Sequence, residues 1–163
     1  MAIPQKIIKF LEKNKVKYEP IKHRTVYTAH DKAATLRVPE KIVGKTLVMK
    51  FDRNVGLVLI PVNKNLDKVK FKKAAKAKSV DFVKEVWIKK NLKGVKVGAF
   101  PPFGNLFKLS VFVDRGLMRQ SKIIVNGGDY TWSIKITPTN FKKLVPDLVS
   151  EISVRRSKFF LGA

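Results

Sequence analysis

The sequence predicts an α+β fold: a single domain, residues 1–163, in which helices surround a strongly curved, mixed β-sheet. Two observations carry this prediction. Short strand pairs alternate with separate helices, a pattern typical of α+β domains. The chain has 163 residues, of which 45% are hydrophobic and 10% aromatic. That content is enough for one core of ordinary size, and nothing calls for a second domain.

The first part of the chain predicts a helix, an edge strand and a second helix. Apolar side chains recur at helical spacing after Pro4, a residue suited to the start of a helix. The segment VKYEPIKH then alternates like an edge strand and breaks at Pro20. Thr28 and Asp31 have the spacing of a capping box, so we expect a helix that begins here and ends before Pro39.

A hairpin and two basic helices are predicted next. The segments GKTLVMKF and GLVLIPV, joined by DRN, are typical of a hairpin. Asp67 begins a basic helix over residues 67–77. Residues 82–92 are predicted as a further helix, which carries Phe82 and Trp87.

The last part of the chain predicts a loop, a strand, a hairpin and a closing helix. The segment VGAFPPFGN (residues 97–105), here called the glycine–proline loop, leads into the strand KLSVFVD and the short turn RGLM. The segment KIIVNGGDYTWSIKI predicts a hairpin with NGGD as its turn. Thr137 and Pro138 begin a helix that runs to Leu144, and the tail from residue 148 is predicted as a strand followed by a basic end.

Positive charge is the strongest global feature of the sequence. Lys and Arg number 35 against 12 Asp and Glu, which gives a formal net charge of +23. Lysines concentrate in residues 64–96, here called the basic segment. Such a segment suits a surface that binds phosphates, because each neutralised phosphate releases counterions. The alternative is the solvated face of a lysine-rich, heat-adapted protein.

The residue types present exclude several classes of site. The chain has no cysteine and two histidines, His23 and His30. Thiolate nucleophiles, disulfides, cysteine-ligated zinc and three-histidine metal sites are therefore impossible. The motifs of serine hydrolases, phosphate-binding loops, dinucleotide-binding folds and zinc proteases are missing. A paired-carboxylate site stays open, but no two acidic residues are placed for one.

These observations predict a protein without cofactor or metal. The N-terminal segment has lysines spaced through it and reads as an amphipathic helix, not as a signal peptide. No apolar run reaches the length of a membrane span. The lysines of KVKFKKAAKAK lie without a wide apolar face beside them, so no membrane partner is expected. A cytoplasmic location is the simplest expectation.

Lys45 is the first candidate site residue. In IVGKTLVMKF, alternation puts it on one strand face with Val43, Leu47 and Met49. One interpretation is a lysine at a strand entrance whose ammonium group extends to water. The other is a cation at the mouth of an apolar pocket, where it would bind a phosphate or a developing negative charge.

The glycine–proline loop is the second candidate. Glycine permits a positive φ and a close approach to bare backbone, whereas proline fixes φ and removes a backbone donor. One interpretation is a structural turn between a helix and a strand. The other is an oxyanion hole in which backbone N–H groups between Gly98 and Gly104 bind a substrate carbonyl. Pro101 and Pro102 donate nothing, so the donors would be their neighbours.

The ordered segments resemble a known family. In order and spacing, the chain is similar to the YbaK-like aminoacyl-tRNA deacylases, which are related to the editing domain inserted in bacterial prolyl-tRNA synthetases. The resemblance covers roughly residues 5–145. It rests on six segments: TVYTAHDKAA, VGKTLVMK, GLVLIPVNKNLD, GAFPPFG, SVFVDRGL and IIVNGG.

This resemblance implies a barrel-like fold and a function. It implies a free-standing, trans-acting domain that hydrolyses the ester between a wrong amino acid and the 3′ end of tRNA. The partner would be tRNA, its acceptor stem held by the basic segment, and an aminoacyl-tRNA synthetase stays open as a further partner. Members are thought to use no protein nucleophile: loop amides and a lysine place the 3′ end, and the substrate's own hydroxyl helps water attack.

The resemblance also assigns residues. Lys45 in KTL matches the characteristic lysine, and Gly98 to Pro102 match the G-x-x-x-P loop, which makes Lys45, Gly98 and Pro102 the catalytic candidates. Phe100, Tyr27 and Thr28 are candidates for the wall of the amino-acid pocket. The remaining substrate-binding candidates come from the same segments: Thr46, Ala99, Pro101, Phe103, Gly104, Asp114 and Gly127.

Two departures from the family pattern leave the preferred amino acid open. The loop carries Pro101-Pro102 where the synthetase-inserted domains usually have Gly-Pro. His30 stands where an acidic or small residue is expected, and it is interpreted as a helix-surface histidine. A catalytically silent tRNA-binding module and a general basic RNA-binding protein are the alternative functions. The second would carry exposed aromatic side chains among its lysines.

Overall fold

The computed structural model describes residues 3–145 and 148–155. The helices are α1 (Gln5–Lys13), α2 (Ala29–Leu36), α3 (Lys68–Ala75), α4 (Glu85–Asn91), α5 (Arg115–Met118) and α6 (Pro138–Leu144). The strands are β1 (Glu19–Lys22), β2 (Gly44–Phe51), β3 (Asn54–Pro61), β4 (Lys64–Leu66), β5 (Val80–Phe82), β6 (Ser110–Asp114), β7 (Ile123–Asp129), β8 (Trp132–Ile136), β9 (Leu148–Ser150) and β10 (Ser153–Arg155).

The predicted α+β class with mixed strand pairing is confirmed. A five-stranded sheet has the order β5-β2-β3-β6-β9, in which β2 pairs antiparallel with β3 and β5, and β6 pairs parallel with β3 and β9. A three-stranded sheet has the order β1-β8-β7, and β10 pairs with β4. A parallel bridge between Val43 and Ile124 joins the two larger sheets. Among the described strands, no sheet closes into a barrel.

Three groups of buried side chains hold these layers together. The largest contains Phe103, Phe141 and Leu57, and the second surrounds Phe71. The third contains Ala33 of α2 and packs that helix against the Val43–Ile124 bridge where the two sheets meet. Burying such large apolar side chains stabilises the fold by roughly 1.5–3 kcal/mol each. The third group matters for function because it fixes α2 beside the start of β2.

Polar caps begin three helices where the sequence predicts them. Thr28 Oγ1 accepts a hydrogen bond from the Asp31 amide at 3.0 Å, while the Asp31 carboxylate pairs with Arg24 at 3.2 Å. The Asp67 carboxylate caps α3 by accepting from two backbone amides, and Thr137 caps α6. Each cap satisfies N–H groups that a helix leaves without intrahelical partners.

Two boundary predictions are wrong. Pro20 does not break the first strand but lies inside β1, opposite Ile134, which an edge strand tolerates because its outer side needs no donor. Phe82 does not lie on a helix: it ends β5 and pairs with Met49, and α4 begins at Glu85. Pairing with β2 satisfies the backbone of residues 80–82, and local apolar spacing cannot reveal such a long-range contact.

Two predicted turns are also placed elsewhere. RGLM is not a turn but the short helix α5, whose first turn is capped by Asp114. NGGD is not the turn of the last hairpin, because β7 continues to Asp129 and the chain reverses at residues 130–131. The Asp129 carboxylate accepts from the amide and hydroxyl of Thr131 and so stabilises that turn.

The glycines of NGGD lie where the pairing register of β7 with β8 shifts. Pairing with β8 is irregular between Asn126 and Asp129, and Gly128 has a φ of +87°. A Cβ on Gly128 would come within 2.7 Å of Ile7 Cδ1, so the bare backbone is what lets α1 pack here. The predicted C-terminal strand is present as β9 and β10, and the predicted basic end lies outside the described residues. None of the described helices is long and apolar enough to cross a membrane.

Candidate functional site

A pocket of about 590 Å³ opens where α2, β2 and the glycine–proline loop meet. Its walls come from five separate parts of the chain, which meet near the junction of the two larger sheets. We call it the main pocket. The residues that line it are Tyr27, Thr28, Ala29, His30, Lys45, Thr46, Leu47, Val62, Gly98 and Asn126.

Lys45 contributes the cation of the main pocket from the second position of β2, where it pairs with Ile60 of β3. The side chain is half-buried, and Leu47 lies beside it on the same pocket wall. Thr46 also lines the pocket. Its hydroxyl group is buried and has no hydrogen-bond partner among the described residues. The strand therefore brings the charged group of Lys45 to the cavity.

The glycine–proline loop is held rigidly by the β7–β8 hairpin. The Gly128 amide donates to the Ala99 carbonyl at 2.9 Å, and the Tyr130 hydroxyl donates to the Val97 carbonyl at 2.5 Å. The Asn126 side-chain amide donates to the Phe100 carbonyl at 3.1 Å. With three carbonyl groups bound by one hairpin, the orientation of the intervening peptide planes is fixed.

Two loop amides make no hydrogen bond to the described residues in this arrangement, and one of them, that of Gly98, lies at the main pocket. Within residues 3–145 and 148–155, the amides of Gly98 and Phe100 have no hydrogen-bond acceptor, whereas the Ala99 amide donates to Lys96. Gly98 has a φ of +86°, a left-handed conformation that side-chain-bearing residues rarely adopt. Gly98 is exposed and lines the main pocket. Such a fixed amide can bind a carbonyl oxygen or an oxyanion without reorganising.

A second lysine lies behind the loop. Lys32, on α2, is only 4% exposed, and its Nζ donates to Asn126 Oδ1 at 2.5 Å. Burial lowers the pKa of Lys32 from 10.5 to about 7. Because an ammonium group can only donate, it fixes the Asn126 amide with its oxygen toward Lys32 and its nitrogen toward the Phe100 carbonyl.

A smaller cavity of about 10 Å³ adjoins the main pocket. We call it the inner cavity. It shares Tyr27, Thr28, Gly98 and Asn126 with the main pocket. Its other lining residues are Val26, Lys32, Ala99 and Asp129.

Asp129 brings a negative charge to the inner cavity. Burial raises the pKa of its carboxyl group, but hydrogen bonds from Thr131 and Lys96 outweigh this effect, and the pKa stays below its usual value. Lys96 Nζ lies 3.4 Å from Asp129 Oδ2. The neighbouring His23 has its pKa lowered, first by burial and further by the charge of Lys32. The inner cavity therefore lies between a buried amine and an ionised carboxylate.

The structure brings five of the predicted site residues together and separates the rest. Lys45, Thr46, Tyr27, Thr28 and Gly98 all line the main pocket, and Ala99 lines the inner cavity. The others do not line either one: Phe100, Pro101, Pro102, Phe103, Gly104, Asp114 and Gly127.

Packing explains where the separated residues lie. Phe100 and Phe103 belong to the largest core group, and Pro101 and Pro102 are buried beside them. A Cβ at Gly104 would overlap the Leu109 carbonyl oxygen, which makes this glycine a packing requirement.

Asp114 and Gly127 also have structural surroundings. Asp114 is buried, caps α5 and accepts three hydrogen bonds from Ile152 and Ser153. Gly127 is buried, and a Cβ there would lie 3.2 Å from the Trp132 carbonyl. A direct role in substrate binding for these residues stays a prediction that the geometry does not support.

Sequence reasoning missed Lys32 and Asn126. The available signal for Lys32 is its spacing, because Ala29, Lys32, Ala33 and Leu36 fall on one face of α2, and that face packs inward. For Asn126 the NGGD pattern predicts a turn instead. His30 is exposed on the surface of α2, as predicted, but it also lines the main pocket, and its Nδ1 lies 3.1 Å from Glu40 Oε1.

The basic segment is exposed along α3 and α4. Lys72 and Lys73 lie in the last turn of α3, and Lys89 and Lys90 lie in the last turn of α4. Phe82 and Trp87 are also exposed, at 50% and 38%, and Lys68 Nζ lies 5.1 Å from the Phe82 ring. Within the described part of the chain, no group of three His, Cys, Asp or Glu residues is placed to hold a metal ion.

The sequence profile of a family described as the aminoacyl-tRNA editing domain matches residues 23–144. No curated protein sequence matches the chain significantly. Among similar solved structures, a hypothetical protein is 22% identical with a TM-score of 0.83, over 91% of this chain and 99% of the other.

Two further structures share the fold. A protein proposed to be a trans-editing enzyme for prolyl-tRNA synthetase is 19% identical with a TM-score of 0.78, over 92% of this chain and 96% of the other. A protein from Marinobacter aquaeolei VT8, proposed to act in signal transduction, is 13% identical with a TM-score of 0.70. This chain covers 31% of that longer protein. At such identities the likeness concerns the fold alone.

Proposed function

Because the chain belongs to the aminoacyl-tRNA editing domain family, whose profile matches residues 23–144, we propose that it is a trans-acting aminoacyl-tRNA deacylase. Its substrate is a mischarged tRNA in the cytoplasm, and its reaction is hydrolysis of the ester at the tRNA 3′ end. A solved structure of a protein proposed to be a trans-editing enzyme for prolyl-tRNA synthetase has the same fold, at a TM-score of 0.78.

A single observation carries this proposal: the main pocket joins the half-buried cation of Lys45 to the fixed, available amide of Gly98. Ester hydrolysis develops negative charge on the carbonyl oxygen, and a fixed amide stabilises that charge without reorganisation. Lys45 supplies the positive charge that a phosphate of the tRNA 3′ end requires. Lys45 lies on β2 and Gly98 lies in the glycine–proline loop. The pocket can therefore bind a phosphate at one position and the ester carbonyl at another.

The reaction needs positioning more than a protein nucleophile. Water attacks the carbonyl carbon of the ester, and the bond to the ribose oxygen then breaks. That oxygen takes up a proton, which releases the free amino acid and the tRNA. An aminoacyl ester is already activated, so orientation and electrostatic stabilisation can supply the several kcal/mol that are required. The neighbouring ribose hydroxyl of the substrate assists the water.

The basic segment is proposed as the surface for the acceptor stem. Its exposed lysines at the ends of α3 and α4 can neutralise phosphates without reading sequence. The exposed rings of Phe82 and Trp87 favour the alternative of a general RNA-binding protein, because bases stack on such side chains. This alternative does not explain why the main pocket contains the Gly98 amide and the Lys45 cation.

The test is a panel of mischarged tRNAs incubated with the protein under single-turnover conditions. We expect esters of one or a few small amino acids to be hydrolysed well above the spontaneous rate, and the matching correctly charged tRNAs to be spared. Tight tRNA binding with no hydrolysis of any ester would support the catalytically silent module instead. Equal binding of unrelated RNAs would support the general RNA-binding protein.

A further inference from the structure

The inner cavity contains chemistry that ester hydrolysis itself does not use. Lys45 and Gly98 belong to the main pocket, whereas Lys32 lies behind the loop with a side chain that is 4% exposed. Its Nζ makes one hydrogen bond, to Asn126 Oδ1, among the described residues. An ammonium or amine nitrogen offers more than one hydrogen-bonding position, so the Asn126 contact does not exhaust it.

Holding the loop does not require a lysine. The loop carbonyl groups are bound by Asn126, Gly128 and Tyr130, and any neutral donor beside Asn126 would orient its amide. Burying a cationic group is costly unless it is paired. A lysine at this position therefore calls for an additional polar group that it contacts during function.

The size and polarity of the inner cavity indicate which group this is. A volume of about 10 Å³ accommodates about one water-sized atom. Lys32 lines it as a donor, and Asp129 lines it as an ionised acceptor. A hydroxyl group is the one common side-chain group of this size that both accepts and donates a hydrogen bond. A methyl group would offer neither partner a further hydrogen bond, and a carboxylate would be too large and would meet the charge of Asp129.

We propose that Lys32 and Asp129 select the aminoacyl group, so that the site accepts a short side chain ending in a hydroxyl, that is a seryl ester, in preference to an alanyl ester. This inference rests on the proposed deacylase function. Gly98 borders both cavities, so an ester carbonyl bound to its amide places the adjoining side chain at the entrance of the inner cavity. The Cβ of serine then occupies the main pocket, and its hydroxyl enters the inner cavity.

Discrimination of this kind is strong when a buried site is built for hydrogen bonds. An apolar pocket cannot strongly separate side chains that differ by one hydroxyl, whereas a site with buried polar groups rejects the analogue that leaves them unpaired. A threonyl ester carries the hydroxyl with an additional methyl group on the same carbon. We expect the threonyl ester to react more slowly than the seryl ester, because that carbon lies at the entrance of a cavity with room for one atom.

The experiment compares seryl and alanyl esters of the same tRNA in single-turnover hydrolysis. The wild type should hydrolyse the seryl ester faster by about tenfold or more, the change expected from one charged hydrogen bond. Lys32→Met, which keeps the length of the side chain and removes its donors, should lower this ratio by about tenfold. Tyr130→Phe is the matched control: it removes one loop anchor, so both esters should slow together and the ratio should stay.

Binding gives a second measurement that does not need catalysis. Adenosine carrying a seryl or alanyl group through a 3′ amide cannot be hydrolysed, and its affinity reports the inner cavity directly. A wild type that prefers neither the seryl ester nor the seryl amide would overturn the inference, whether or not Lys32→Met folds. An unchanged ratio in a folded Lys32→Met variant would also overturn it. If no ester is cleaved but the seryl amide binds more tightly, the specificity stands and the deacylase proposal fails.

Discussion

At the scale of single residues, two lysines of similar chemistry have different surroundings. Lys45 is half-buried at a strand entrance and borders an open pocket. Lys32 is buried on α2, and desolvation lowers its pKa to about 7. The first is suited to contact a phosphate, and the second is suited to contact a neutral polar group.

Lys45→Ala should leave the fold intact and reduce single-turnover deacylation by about 10²-fold or more, a loss typical of removing an electrostatic contact in a catalytic site. Lys50→Ala is the control, because Lys50 is exposed on the same strand and lies outside the main pocket. It should keep the wild-type rate. If both variants react equally fast on the same mischarged tRNA, Lys45 has no role in the site.

Lys32 should make stability depend on pH above neutrality. Its pKa is about 7 in the folded chain against 10.5 unfolded, so the unfolded chain binds the extra proton between these values. The free-energy cost of burying the charge of Lys32 is complete below pH 7 and decreases as the pH rises toward 10.5. Wild type should therefore gain stability relative to Lys32→Met by up to about 1.4 kcal/mol per pH unit.

Urea unfolding of both proteins between pH 6 and 9 measures this gain. His23 and Asp129, the titratable neighbours of Lys32, are present in both proteins, so their contributions largely cancel in the difference. The free energy of unfolding of the wild type minus that of Lys32→Met should be constant from pH 6 to near 7 and should then rise. Parallel curves up to pH 9 would mean that Lys32 keeps its proton inside the fold.

At the scale of elements, the glycine–proline loop depends on the hairpin that follows it in sequence. Its prolines and phenylalanines are buried in the core, and its carbonyl groups are bound by β7 and β8. The side chains of the loop thus serve the fold, and the backbone at Gly98 faces the pocket. The stiffness of the loop is what keeps the Gly98 amide in place before the substrate binds.

Gly98→Ala should reduce deacylation by about 10²-fold, because positive φ strains alanine and a small displacement of the amide misplaces the ester. A Cβ there would also lie 3.3 Å from the Tyr27 carbonyl oxygen. Affinity for tRNA should be preserved. Gly94→Ala is the matched control, since Gly94 also has a positive φ, +95°, but lies outside the main pocket.

The two glycine variants should lose similar stability, about 1–2 kcal/mol by strain, measured by thermal unfolding. Only Gly98→Ala should lose activity. Equal activity losses in both variants would mean that the effect follows from general destabilisation, and full activity in Gly98→Ala would mean that the loop is only a structural turn.

At the scale of the whole molecule, charge is unevenly distributed. A net charge of +23 attracts polyanions from a distance, and the exposed lysines on α3 and α4 concentrate that attraction on one stretch of the chain. Under the proposed function, this surface adds affinity for tRNA without sequence preference. Selection of the substrate then falls to the pocket.

Affinity for tRNA should fall steeply with salt, by roughly 10³-fold between 50 and 200 mM if about six phosphates are contacted. Replacing Lys72, Lys73, Lys89 and Lys90 with alanine should weaken binding and flatten the salt dependence. Lys9→Ala with Lys13→Ala, on the exposed side of α1, is the control for charge removed elsewhere. If the affinity of the wild type for tRNA does not change with salt, the positive charge serves solubility and not tRNA binding.

The sequence by itself determined the α+β class, most helices with their caps, the β2–β3 hairpin and the candidates Lys45 and Gly98. These features follow from local causes: side-chain periodicity, capping chemistry and the conformational freedom of glycine. Local patterns could not assign Phe82 to β5, move the last turn from NGGD to residues 130–131, or give the RGLM segment its helix. For Phe82 the deciding contact is the long-range pairing with β2, whereas Asp114 caps the RGLM helix and Asp129 accepts from Thr131 in the turn.

The tertiary structure alone decided the composition of the site. Lys32 and Asn126 lie 94 positions apart, and their hydrogen bond forms because α2 packs where the two sheets meet. Phe100 is buried in the largest core group and Pro101 and Pro102 are buried as well, while Gly98 stays exposed at the pocket. Sequence specifies which groups are available. Burial and hydrogen bonding between distant segments determine which of them meet, because only the folded chain removes water from both partners at once.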